Sequence, residues 1–381
     1  MKKVLVKAYA RKNLGDDLFL EILFNRYPQT IFYLEASEDY NSIFEKYHNV
    51  KIIKQPSKSI LLRCFDYILR HFFPFFFKII LKRRLVVFFK KSALYQSIDA
   101  FVLIGGSMFM QHRTLPVYDE IVFYEQLEEN NSKISVFILG ANFGPFTDDK
   151  YLKGYANVFS KAKDVCFRES YSKALFRDME NVRFAPDIVF SALFETLDKK
   201  KDTIGFSIIS PENRDSMQEI ECENYYEKNI ELISKFVRDG KTVYLFSFCK
   251  EEGDEDAINK IVCKLDTDIL EKIQICFYSG EIKSFLKTYS QVEMMFCGRF
   301  HSIILSLLFE QSIFPVSYSS KMTNVLKDLG YKGSMVDLPN LGFIKYEDIK
   351  ANIEMNVLDI SNAREEANMQ FQELDIFLIN N

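Results

Sequence analysis

Short apolar runs that end in a glycine or polar turn and lead into a helical pattern recur along the whole chain. This repeat is the strongest constraint on the fold. Val4-Leu-Val-Lys-Ala-Tyr9, Thr30-Ile-Phe-Tyr-Leu34, Val50-Lys-Ile-Ile53, Asp99–Ile104, Lys133–Leu139 and Asp164–Phe167 read as strands in the first half. In the second half Thr203–Ile209, Thr242–Ser247, Gln274–Phe277, Val292–Cys297 and Ile313–Val316 read the same way. Strands that alternate with helices in this manner build parallel sheets. Helical patterns fall between them, for example Asp17–Phe24 and about Asn224–Asp239, and Gly330 stands where it can cap the helix after Lys321. The C-terminal stretch from Ala363 reads as one long helix. The expectation is an α/β protein with two Rossmann-like, doubly wound domains facing across a cleft.

A chain of 381 residues has room for two such domains. The apolar pattern stops at Thr196-Leu-Asp-Lys-Lys-Lys-Asp202, which predicts an interdomain linker over 196–202. The expected organisation is a Rossmann-like domain over 1–195 and a second over 203–345. A helical segment over 346–381 completes it.

Composition excludes several classes. Lys plus Arg total 49 against 53 acids, a net charge of −4, which gives no reason to expect a nucleic-acid partner. The seven cysteines are scattered and form no Cys-x-x-Cys pair, so they read as reduced, mostly buried thiols rather than zinc ligands or a disulfide framework. No metal site is expected. The Met-Lys-Lys start is followed by a charged strand pattern without the apolar core of a signal peptide, so a cytoplasmic location is expected.

One segment departs from the average. Between Lys51 and Ile98 there are eleven basic residues and a single acid, Asp66, interleaved with His71-Phe-Phe-Pro-Phe-Phe-Phe-Lys78 and Leu81-Lys-Arg-Arg-Leu-Val-Val-Phe-Phe-Lys-Lys91. No uncharged run approaches the ~20 residues that span a bilayer. A basic-aromatic segment over 60–91 instead suits the headgroup region of an anionic membrane, with the chain peripheral on its inner face. A pair of core helices with solvated basic faces is the structural alternative.

The polar residues that could carry chemistry gather where strands end, the place at which open α/β sheets bind ligands. Asn13-Leu-Gly15-Asp16 follows the first strand and is expected to offer backbone N–H groups to an anion. Gly105-Gly106-Ser107 and Gly140…Gly144-Pro145 are tight turns where a ligand can approach the backbone. Arg299-Phe300-His301 follows a later strand; in an extended segment Arg299 and His301 share one side, and the arginine favours a neutral imidazole. His48, His71 and His112 read as structural. Arg168-Glu169-Ser170-Tyr171-Ser172 also follows a strand, with Glu169 expected to partner an arginine and either serine able to cap a helix. Lys321 supplies another cation. No Gly-x-x-x-x-Gly-Lys-Ser/Thr or Gly-x-Ser-x-Gly occurs, which disfavours a P-loop NTPase and an α/β-hydrolase.

Taken in order, Asn13-x-Gly15-Asp16, Gly105-Gly106, Gly140-x-x-x-Gly144-Pro145, Arg168-Glu169-x-x-Ser172, Ala185-x-Asp187-x-x-Phe190, Arg299-x-His301 and Lys321 resemble the polysaccharide pyruvyl transferase family. Ser107 stands where that family often has a third glycine. The resemblance implies a GT-B-like fold and transfer of pyruvate from phosphoenolpyruvate, as co-substrate, to two hydroxyls of a sugar in a cell-surface polysaccharide precursor such as capsule or exopolysaccharide. A lipid-linked oligosaccharide is one form that acceptor can take. It implies His301 as the catalytic acid or base and Arg168, Arg299 and Lys321 as donor-binding cations. Asn13, Gly15, Asp16, Gly105, Gly106, Ser107, Gly140 and Gly144 would then be acceptor or loop contacts, and no cofactor is needed. The alternatives are a glycosyltransferase with a nucleotide-sugar donor and a non-catalytic, membrane-associated assembly protein.

Overall fold

The computed structural model describes residues 1–54, 59–214, 217–353 and 358–379. The chain divides into two compact units, the first formed by 1–10, 20–186 and 368–381 and the second by 11–19 and 187–367.

The first unit holds a parallel sheet of β1 (Lys3–Lys7), β2 (Ile31–Glu35), β3 (Val50–Ile53), β4 (Ala100–Ile104), β5 (Ser135–Ala141), β6 (Asp164–Phe167) and β7 (Val182–Phe184). Its order is β3-β2-β1-β4-β5-β6-β7, so the strand sequence reverses between β1 and β4. Every residue of β4 and β6 is buried, as strands covered on both faces require, whereas edge strand β3 is largely accessible. The helices Asp119–Asn130 and Asp149–Phe159 cover the sheet with an aromatic core in which Phe109, Phe143, Tyr155, Phe159 and Phe176 pack mostly edge to face.

The second unit holds β8 (Thr203–Ser207), β9 (Thr242–Ser247), β10 (Ile273–Phe277), β11 (Met294–Cys297), β12 (Ser312–Ser317) and β13 (Val336–Asp337). These are also parallel, in the order β10-β9-β8-β11-β12-β13, with the reversal between β8 and β11. An aliphatic core of Ile204, Leu232, Ile233, Leu245, Ile258 and Ile349 lies between this sheet and its helices.

The unit boundaries differ from the composition-based ones. Residues 196–202 are not a free linker: Lys200 N–H bonds Gln291 O at 2.7 Å and Thr203 Oγ1 bonds Lys200 O at 2.6 Å, tying this polar stretch into the second unit. The chain changes unit at Pro186–Asp187 instead. The C-terminal stretch is not one helix. It runs as Ser361–Glu366, a 3₁₀ turn Ala367–Phe371 and Gln372–Leu378, and it passes from the second unit back to the first within that turn.

Candidate functional site

In the second unit the polar residues gather at the switch between β8 and β11. Ser207, closing β8, accepts the N–H groups of Gly298 at 2.8 Å and Arg299 at 3.1 Å and donates to Ser302 Oγ at 2.7 Å. This fixes the turn from β11 into the helix Phe300–Leu308. Arg299 is the residue before that helix and His301 lies in its first turn, so the expected extended geometry is absent. Arg299 itself is extended, with φ of −105° and ψ of 144°, but the chain turns helical at Phe300, and the two side chains diverge to different partners, Arg299 to Asp254 and Glu252 and His301 toward Asp187.

Arg299 is buried and bound by carboxylates. Its Nε donates to Asp254 Oδ2 at 3.0 Å, a second nitrogen bonds Asp254 Oδ1, and Nη1 reaches Glu252 Oε2 at 2.5 Å. Burial alone would lower the arginine, yet these two acids hold it well above its ordinary value. Asp254 is anchored in turn by the amides of Phe248 and Cys249, each at 3.0 Å. Burial pushes the Glu252 carboxyl up, but Arg299 and Arg214 more than offset it and bring it to about 2.

Beyond this network lies a cationic corner around Tyr318. The Arg214 guanidinium stacks 4.5 Å from the Tyr318 ring centre and Lys321 Nζ lies 5.3 Å from it. Arg214 also pairs with Glu252 at 3.1 Å, while its Nε is buried without a hydrogen-bond partner among the described residues. Burial should raise the Tyr318 phenol; Lys321, Arg214 and Arg299 outweigh it and hold the phenol below its ordinary value. Around this half-buried ring the guanidinium and ammonium groups give the corner a surplus of positive charge, the setting an anionic ligand requires.

His301 points elsewhere. Its Nε2 lies 3.8 Å from Asp187 Oδ2, an ionic rather than a hydrogen-bonding distance, and Phe19 meets the ring edge-on at 5.2 Å. Asp187 is itself fixed, accepting the Val189 N–H at 2.9 Å. The ring lies directly over Gly15: a Cβ there would stand 1.8 Å from His301 Nδ1. Gly15 is thus a glycine because the histidine occupies the space of its side chain. The expectation that this loop offers its amides to an anion does not hold at three positions. Gly15 N–H is taken by Asn13 Oδ1 at 3.1 Å, Leu14 N–H by Phe248 O at 3.1 Å and Asp17 N–H by Asn13 O at 2.9 Å. Asn13 Nδ2 donates to Glu252 Oε1 at 3.1 Å, and the buried Asp17 accepts from Tyr278 at 2.8 Å. Asp16 is nearly buried beside them.

The first unit carries a second group of expected residues. Arg168, buried at the end of β6, donates to Asn142 Oδ1 at 2.9 Å and lies over Gly106, where a Cβ would stand 2.2 Å from its Nη2. The loops after β4 and β5 are stitched together: Asn142 N–H bonds Gly106 O and Gly144 N–H bonds Phe109 O, both at 2.8 Å. Gly105 N–H reaches Leu139 O at 3.3 Å, Gly140 N–H is held by Gln370 Oε1 at 2.9 Å, and Ser107 is exposed. Ser172 does not cap a helix; it lies within Ser170–Ala174, donates to Glu169 at 2.6 Å and accepts the Phe143 N–H at 2.7 Å.

The sequence reading missed Arg214, Glu252, Asp254, Tyr318 and the role of Asp187. Three of these had a signal: Tyr318 directly follows β12, and Glu252 and Asp254 stand in the acidic run Glu251-Glu252-Gly-Asp254 just past the end of β9.

The fold is shared with solved proteins of GT-B type. UDP-GlcNAc 2-epimerase from Neisseria meningitidis, solved bound to UDP-GlcNAc, matches with a TM-score of 0.60 at 11% identity over 100% of both chains. MnaA of S. aureus, in a co-structure with UDP, gives 0.59 at 11% identity over 100% of this chain and 98% of that one. MurG from Acinetobacter baumannii gives 0.50 at 14% identity over 99% of both. No curated protein matches the sequence. A family model described as polysaccharide pyruvyl transferase matches residues 13–320.

Proposed function

The chain belongs to the polysaccharide pyruvyl transferase family, and we propose on that premise that phosphoenolpyruvate is its donor and a cyclic ketal on a polysaccharide precursor its product. The observation that carries this reading is the cationic corner of Arg214, Arg299 and Lys321 about Tyr318. Phosphoenolpyruvate brings a carboxylate and a phosphate, and planar guanidinium groups match either in bidentate fashion. Arg299, buried between Asp254 and Glu252, sets the field and shape of the corner; Arg214, which keeps Nε without a hydrogen-bond partner among the described residues, and Lys321, beside the Tyr318 ring, are the cations we assign to direct contact. Arg168 keeps the donor-binding role that the family pattern implies.

The chemistry then runs in two additions. Protonation of the methylene carbon leaves the central carbon cationic, and one sugar hydroxyl adds there. Loss of phosphate regenerates the cation, and the second hydroxyl closes the ketal. Of the two hydroxyl protons, the balance places one on the new methyl group and one on the departing phosphate. We assign proton transfer to His301. Asp187, at ionic distance, orients the ring and stabilises it when it carries a proton, a role worth about 10²–10⁴ in rate for the pair.

Phosphoenolpyruvate is expected to raise the melting temperature of the purified protein. Lys321→Ala should reduce that shift, since it removes a charge-assisted contact worth about 1.5–3 kcal/mol. A nucleotide-sugar panel run beside it gives the opposing result: stabilisation only by a nucleotide sugar would replace pyruvyl transfer by glycosyl transfer.

A further inference from the structure

We propose that the helix pair Ile60–Phe72 and Pro74–Lys91 of the first unit is a docking face for an anionic lipid surface. The sequence allowed two readings of this segment, and the side chains decide against core helices. Leu61, Phe65, Ile68 and Phe72, spaced four, three and four residues apart, form one stripe of the first helix, and all four are exposed. Leu61 is 84% and Phe72 71% accessible, values foreign to a core. Phe73, Phe75 and Phe76 continue the apolar surface into the second helix, which Pro74 starts at its first position.

The other faces of the pair explain how it is held. Phe77 and Leu81 pack with Val117 and Val122, and Leu69 and Leu85 lie against them. Asp66 is buried and paired with Arg84 at 2.6 Å, and Arg70 pairs with Asp119 at 2.7 Å. The stripe is therefore turned outward by an inner face that is packed and ion-paired against the rest of the first unit.

Charge identifies the occupant. Asp66 is the segment's single acid and Arg84 neutralises it, while Arg70 and Lys82 face Asp119 and Glu125. Arg63, Lys78, Arg83, Lys90 and Lys91 are exposed and have no ion pair among the described residues. On the second helix Phe76, Arg83, Val87 and Lys90 share one face, at spacings of seven, four and three. Cations and apolar groups interleaved on one face match the headgroup boundary of an anionic bilayer, where rings insert and cations meet phosphate. A second copy of the chain would bring like charges together. Among the described residues no helix is long and apolar enough to cross a membrane, so the contact is with the surface. The proposal does not depend on the donor chemistry, and it is read without turnover.

The test is co-sedimentation with vesicles of phosphatidylcholine alone and of phosphatidylcholine mixed with phosphatidylglycerol. The protein should pellet with the mixed vesicles and not the neutral ones. Phe72→Ser with Phe76→Ser, and separately Arg83→Gln with Lys90→Gln and Lys91→Gln, should each lower the partition coefficient about tenfold or more. All of these side chains are exposed, so the variants should melt with the parent, which separates lost docking from lost folding. Failure to pellet with the mixed vesicles, equal pelleting with both kinds, or unchanged pelleting of the variants would overturn the proposal. So would a dimer in sedimentation velocity that the Phe72/Phe76 variant abolishes, since the face would then join two copies of the chain.

Discussion

At the scale of single residues, two glycines are defined by the side chains lying over them. Gly15 is packed under His301 and Gly106 under Arg168, and a methyl group at either would stand where the imidazole or guanidinium now is. This makes Gly15→Ala a probe of His301 that leaves the ring chemically intact. It should lower kcat by about 10²-fold or more, toward the level of His301→Ala, by displacing the imidazole from its place beside Asp187. Both variants should keep the phosphoenolpyruvate-induced rise in melting temperature, because neither touches the corner around Tyr318. Steady-state kinetics beside thermal shift checks this; loss of the thermal shift in both would make His301 a donor ligand rather than a proton carrier. Glu252 offers a different prediction. Its carboxyl titrates at about 2 in the folded chain against an ordinary value of 4.5. The folded state therefore gains stability from its ionised form above pH ~4.5 and loses that gain as pH falls toward 2. Glu252→Gln should be less stable than the parent at neutral pH, by up to about 3 kcal/mol. In urea unfolding series the gap should close as pH drops below ~4.5; a gap independent of pH would assign the loss to packing.

At the scale of elements, legibility followed burial. The apolar runs Ala100–Ile104 and Asp164–Phe167 stand out in the sequence because both faces of these strands are covered and nearly every position is apolar. The edge strands Val182–Phe184 and Val336–Asp337 do not, since three and two residues make no run. Gly330 was readable for a local reason: it follows the helix Ser320–Asp328 with φ of 73°, a conformation that glycine adopts freely. The strand-end rule located Arg168, Arg299, His301 and Lys321 as a set, because position after a strand is written in the local pattern. Their partners were not readable. Arg299 finds Asp254 and Glu252 some 45 positions away, and Tyr318 meets Arg214 across a hundred. Such pairings are set by sheet order, on which local periodicity is silent. The break in the last helix has the same origin, as Gln370 is drawn to partners near β5, β6 and β7.

At the scale of the whole molecule, the chain crosses between its two units three times, at Ala10–Arg11, Phe19–Leu20 and Pro186–Asp187, before a last crossing at Ala367–Asn368. The final segment is thus the far end of the chain serving the first unit. Gln370 is buried there; its Oε1 accepts Gly140 N–H at 2.9 Å, and its Nε2 donates to Ala185 O at 2.6 Å and Pro186 O at 3.1 Å. Asp375 receives Arg26 through two bonds of 2.7 and 2.8 Å and the Tyr27 hydroxyl at 2.7 Å, and Phe377 packs on Phe137. Removing residues 368–381 leaves buried polar groups of β5 and of the stretch after β7 without partners, each costing about 1–3 kcal/mol, and uncovers Phe137 and Tyr27. The truncated chain should exchange amide hydrogens faster in β5, β6 and β7, while β8, β9 and β11 keep their protection, because the bonds of Gln370 and Asp375 and the packing of Phe377 described above lie within the first unit. Gln370→Ala alone should show the same pattern to a smaller degree, most clearly at Gly140. Hydrogen-exchange mass spectrometry reads both units at once. Equal loss of protection in both sheets would mean that the two units unfold as one cooperative body, and the terminal segment would then be holding the whole chain rather than one sheet of it.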